Sequence, residues 1–103
     1  ETVTVDDDVL RYISNVARAT REHRHVDVGV SPRGTQRLFE AVRARAIIRG
    51  REFVTPEDVK AVAQSVMAHR VVLTPEARVE NVAEASVVES VLDDVPVPTV
   101  ARQ

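Results

Sequence analysis

The stretch Gly29–Gly50, GVSPRGTQRLFEAVRARAIIRG, has a helix start signal at one end, a stop signal at the other and apolar residues between. Ser31 is a good N-cap, because its hydroxyl can accept a hydrogen bond from a free N–H of the first turn. Pro32 then sits at the first helical position, where its missing N–H costs nothing. Gly50 suits the left-handed residue that closes many helices. The pattern predicts a helix over about residues 32–49. Leu38, Phe39, Ala41, Val42, Ala44, Ala46, Ile47 and Ile48 give it apolar contacts on more than one side, as expected of a helix central to a bundle. Gln36, Glu40 and Arg43 mark one polar strip, and Arg37, Arg45 and Arg49 mark another.

Arg33 falls in the first turn, where the helix dipole is already positive. Two readings follow. One is a solvated surface cation beside an ordinary cap. The other is a cation facing an anion, since a helix N-terminus is itself a natural phosphate site. Local chemistry alone leaves both open.

Outward from this stretch the chain continues to read as helices. Downstream, Arg51–Val54 is a short extended link, followed by Thr55-Pro56-Glu57-Asp58. There Thr55 caps, Pro56 starts the helix, and the two acids complement its dipole. Val59, Val62, Ala63, Val66 and Met67 follow at clean helical spacing, and His69 and Arg70 close the helix. Residues 71–73 are apolar and extended. Thr74-Pro75-Glu76 nucleates a short helical turn. A last helix is predicted over 84–94, with Val87, Val88, Val91 and Leu92 buried and Asn81 and Glu84 at capping-box spacing. Pro96 and Pro98 terminate it.

Upstream, Asp6, Asp7 and Asp8 suit the cap and first turn of a helix running to about His23. Its apolar stripe is Val9, Leu10, Ile13, Val16, Ala17 and Thr20, with Tyr12 at the edge. Residues 1–5 alternate Thr and Val, as in a short strand with no obvious partner. Residues 21–30, REHRHVDVGV, read as a polar, irregular connection. His23 and His25 lie at a spacing two metal ligands can share. No third ligand is near and cations flank them, so an exposed pair is expected.

The 103-residue length fits one domain with a modest core. Tyr12, Phe39 and Phe53 are the only aromatics, so the core is built from Val, Ala, Leu and Ile. There is no cysteine, which excludes disulfides and thiolate metal sites. The net charge of −2 is uneven: residues 11–51 hold ten Arg against Glu22, Asp27 and Glu40, a local balance of +7. This basic middle can face phosphates or pair with an acidic neighbour. No apolar run approaches membrane-spanning length. The first residues lack the pattern of a secretory leader, so a cytoplasmic protein is expected. Gly29, Gly34 and Gly50 form no phosphate cradle, and Lys60 lies within a helix. No Ser has a His or acid that periodicity brings beside it. A stand-alone enzyme is not expected.

Several segments match a known family. They are Ala-Thr-Arg at 19–21, Gly-Val-Ser-Pro-Arg at 29–33, Arg-Ala at 45–46, Gly-Arg-Glu-Phe-Val-Thr-Pro-Glu-Asp-Val at 50–59 and His-Arg at 69–70. In order and spacing they resemble the C-terminal lid of MoxR-type AAA+ ATPases. The Val-Pro segment at 95–98 extends the likeness, while residues 74–86 are its least diagnostic part. The resemblance implies a mainly α fold, a small helical bundle of the AAA+ lid type with short extended segments. It divides the chain into the end of a core–lid junction strand at 1–5, the lid at 6–98 and a frayed tail at 99–103.

The resemblance also implies an upstream α/β core that binds ATP and Mg, absent from this chain. ATP hydrolysis is then expected of the longer parent and not of this chain alone. Arg33 corresponds to the second sensor and would reach the γ-phosphate. Arg21, Arg37, Arg45 and Arg49 are candidate contacts to neighbouring subunits of a ring, expected to be hexameric, although a structural role also suits Arg21 and a solvated helix face is the favoured reading of the last three. The family acts as chaperones for other proteins, some with von Willebrand A domains. The alternative is a histone-like or other helical nucleic-acid-binding module, whose basic middle would contact phosphate backbone. The acidic flanks argue against it.

Overall fold

The computed structural model describes residues 3–98. Five α-helices carry the fold: α1 (Asp7–Glu22), α2 (Pro32–Ile48), α3 (Pro56–Met67), α4 (Pro75–Val79) and α5 (Glu84–Asp94). A 3-10 turn, Ala68–Arg70, extends α3. Strands β1 (Val26–Val28) and β2 (Val72–Leu73) pair antiparallel, with Val26 opposite Leu73 and Val28 opposite Val72. The segment read as an irregular connection therefore contains a strand. Its partner lies far along the chain, and three residues are too few for alternation to identify it.

One apolar core joins the helices. Val9, Tyr12, Ile13 and Val16 of α1 meet Leu38, Val42 and Ala46 of α2, Val59, Ala63 and Met67 of α3, and Val87, Val88 and Val91 of α5. On α1 the expected places of two residues are exchanged. Tyr12 is buried, while Leu10 is 38% exposed. The other expected stripe residues, Val9, Ile13, Val16, Ala17 and Thr20, are buried.

The expected central position of α2 is not observed. Its buried residues, Gly34, Leu38, Val42 and Ala46, repeat every four positions and form a single stripe. Ile47 is 46% exposed and Ile48 is 83% exposed. Phe39 is half-buried beneath the Arg43 guanidinium, 5.6 Å from its ring centroid. The helix ends as expected at Gly50, whose φ of 74° lets Arg51 N–H reach Ala46 O at 2.9 Å.

Thr4 forms a parallel bridge with Phe53, donating to Glu52 O and accepting from Val54 N–H. The apparently partnerless start of the chain thus has a partner in the α2–α3 link. Residues 1–2 of that strand, and the tail at 99–103, lie outside the described residues. Asp6 occupies the N-cap of α1, but its carboxylate takes no first-turn N–H. Asn81 does not cap α5, whose N-cap is Ala83 without a side-chain bond. It closes α4 instead, with φ 62°, and Val82 N–H donates to Ala77 O. Asn tolerates this left-handed conformation better than other residues with a side chain.

Candidate functional site

The start of α2 is built from both of its flanks. Ser31 is extended (φ −76°, ψ 170°), and its Oγ accepts from Gly34 N–H at 3.2 Å. Its carbonyl accepts from Thr35 N–H and from the Thr35 hydroxyl. Pro32 occupies the first turn, which holds no acidic residue. By contrast α3 places Glu57 and Asp58 in its first turn. The dipole of α2 is therefore left uncompensated by its own side chains.

Arg33 projects from this turn and is exposed. Among the described residues its guanidinium has no hydrogen-bond or ion-pair partner. It lines a shallow open depression of about 430 Å³ with Pro32, Gln36, Arg37 and Glu40. Arg37 and Glu40 approach to 3.6 Å with both side chains more than half exposed, a pair that contributes little. The depression is thus basic on balance and open to an anion.

Gly34 is buried in the same turn, and a Cβ there would meet Val30 Cγ1 at 2.8 Å and Arg70 Cδ at 2.9 Å. Arg21 is exposed overall, yet its Nη1 donates to Val30 O at 2.7 Å. Thr20, fully buried, accepts from Val30 N–H at 2.9 Å.

The other candidate cations are dispersed. Arg49 is exposed at the end of α2. Arg45 turns inward, its Nε donating to Asp58 Oδ1 at 3.0 Å. Arg51 grips the same carboxylate with two donors, at 2.8 and 2.6 Å. Thr55 N–H completes it at 2.8 Å, and Thr55 Oγ1 accepts from Asp58 N–H, a full capping box. Asp58 is wholly buried. Burial raises its pKa, but the bonds from Arg51 and Thr55 outweigh this and hold it down to about 2. Sequence reasoning took Asp58 only as a complement to the dipole of α3. The Thr-x-x-Asp spacing signalled the box; nothing local signalled the two arginines.

The rings of His23 and His25 lie 5.5 Å apart, tilted by 38°, and His23 Nδ1 accepts from His25 N–H. Partial burial, with His25 and Arg24 nearby, lowers the His23 pKa. Among the described residues no three His, Asp or Glu come together as metal ligands. None of the helices described is long and apolar enough to cross a membrane.

A family model described as the AAA lid domain matches residues 18–91 of this small helical bundle. The chain belongs to that family. It is 49% identical over 72 residues to protein MoxR of Paracoccus denitrificans, covering 68% of this chain and 21% of that protein. It is 34% identical over 98 residues to chaperone MoxR1 of Mycobacterium tuberculosis, covering 86% and 26%. It is 36% identical over 98 residues to the uncharacterized protein YeaC of Bacillus subtilis, covering 95% and 31%. A crystal structure from Cytophaga hutchinsonii, of a protein assigned as an ATPase, superposes with a TM-score of 0.89 at 29% identity, covering 95% of this chain and 32% of that one. Within the family this is a lid of the MoxR type, and it spans less than a third of the length of these curated relatives.

Proposed function

We propose that the chain is the nucleotide-responsive lid of a MoxR-type, chaperone-like AAA+ ATPase, with Arg33 as its second sensor. The observation that carries this reading is the exposed, unpartnered Arg33 at the acid-free start of α2. ATP with Mg, held by the rest of the parent protein, supplies the anionic γ-phosphate and the bond that is cleaved. Arg33 would donate charge-assisted hydrogen bonds to that phosphate, while Ser31 and Pro32 fix the helix start from which it projects. A contact made to ATP and lost on hydrolysis couples the lid angle to nucleotide state.

The chain alone is then not an ATPase. Its exposed Arg37 and Arg49, and the outward parts of Arg21 and Arg45, serve as contacts to neighbouring subunits of a cytoplasmic ring, read as hexameric. A client with a von Willebrand A domain fits the same assignment. Membrane and nucleic-acid partners are not part of it.

Replacing Arg33 by Ala in the full-length protein tests the reading. One charge-assisted hydrogen bond is worth about 1.5–3 kcal/mol, which corresponds to a loss of roughly 10- to 150-fold in turnover. Arg33 is exposed, so the melting temperature of the lid should not move. Unchanged turnover at saturating ATP would remove Arg33 from the site.

A further inference from the structure

The residue three positions before Arg33 is held at both of its backbone polar atoms. Val30 N–H donates to Thr20 Oγ1 at 2.9 Å, and Val30 O accepts from Arg21 Nη1 at 2.7 Å. Thr20 spends its own proton on Ala17 O at 2.6 Å, so its hydroxyl is left as an acceptor aimed at Val30. Thr20 and Val30 are both fully buried. Gly29 lies so close to α1 that a Cβ there would sit 2.6 Å from both Cα and N of Arg21. Two consecutive residues of the last turn of α1 thus grip opposite sides of one residue. Such a grip fixes orientation as well as position. Only Ser31 and Pro32 intervene before Arg33, and both have restricted backbones.

We infer that Thr20 and Arg21 are positioning residues that set the angle of α2, and so the reach of Arg33, relative to α1. The proposal rests on reading Arg33 as a phosphate sensor. An Arg on a flexible stem is useful for charge stabilisation only if its backbone origin is fixed. Displacement of about 1 Å can cost on the order of 100-fold in rate. A buried Thr is not needed here for packing, because Val would fill the same volume. Its hydroxyl is the acceptor that Val30 N–H needs, while its own proton goes back to Ala17 O within α1.

The chain has no cysteine, so Arg33→Cys carries a single nitroxide label at an exposed position. In the chain with Thr20→Val or Arg21→Gln, the nitroxide spectrum should show at least a twofold shorter correlation time, and Thr20→Ser should restore it. Val88→Ala, a core change in α5, should lower the melting temperature without moving the spectrum. An unchanged spectrum in both Thr20→Val and Arg21→Gln overturns the proposal. Arg21 is exposed, so that variant keeps the test valid should Thr20→Val fail to fold.

In the full-length protein, Thr20→Val should lower kcat about tenfold and leave KM for ATP within twofold. It should have no further effect when added to Arg33→Ala. Loss of turnover in Arg33→Ala without loss in Thr20→Val refutes the positioning role. Normal turnover in Arg33→Ala refutes the sensor reading instead, and the nitroxide result then stands on its own for the grip on Val30.

Discussion

Replacing Asp58 should expose how much of the fold hangs on one buried carboxylate. Asp58 accepts from Arg51 twice, from Arg45 Nε and from Thr55 N–H, and is itself fully buried. Its folded pKa of about 2 lies below the ordinary aspartate value of 3.8. A depressed carboxylate contributes stability that is present above its unfolded pKa and lost as pH falls through 3.8 towards 2. At 1.36 kcal/mol per unit, the contribution at neutral pH is on the order of 2 kcal/mol. This is below the 3–5 kcal/mol typical of breaking a fully buried pair, for a structural reason. The Arg45 and Arg51 side chains are 31% and 26% exposed, so both guanidiniums can turn to water once Asp58 is gone.

Asp58→Asn approximates the protonated acid. In urea denaturation it should be less stable than the parent by about 2 kcal/mol at pH 7, with the gap closing towards pH 2. For a domain of this size that gap lowers the melting temperature by roughly 10 °C. Asp58→Ala should lose about 1 kcal/mol more at every pH, because the reciprocal cap is also removed. A gap of equal size at pH 7 and pH 2, or one below about 0.5 kcal/mol at pH 7, would show that the cluster does not carry this energy.

Two further outcomes follow from the packing. Gly29→Ala should destabilise the chain by about 1–3 kcal/mol, since its Cβ would meet the backbone of Arg21, whereas the same change at an open surface position is mild; thermal melts of the two compare directly. Ile48→Ser should leave the melting temperature within about 2 °C of the parent, because Ile48 is 83% exposed. A marked loss there would mean that the end of α2 packs into the core after all.

Three of the expected caps were legible in the sequence. Ser31, Thr55 and Thr74 each accept the expected first-turn N–H, because capping is settled within four residues of chain. The helix over 84–94 and its buried valines followed from period alone. The lid-type fold was likewise readable, from motifs distributed over most of the chain.

What local pattern misjudged were matters of which neighbour covers which face. Ile47 and Ile48 look like core residues, yet α1 and α3 bury a single stripe of α2 that leaves both outside it. Leu10 and Tyr12 lie two positions apart on α1, and the helices packed against α1 decide which is covered. Asn81 has the spacing of a cap but closes the preceding helix, because the chain turns back over α4 there. Sequence by itself determined where helices begin and end and which cation stands at the start of α2, since those depend on interactions spanning a few residues. Tertiary structure alone decided that Asp58 joins Arg45 and Arg51, that Thr4 bridges Phe53, and that Thr20 and Arg21 hold Val30. Each of these contacts closes a loop of nine residues or more or joins separate elements, and only the packed chain brings their polar atoms within hydrogen-bond reach.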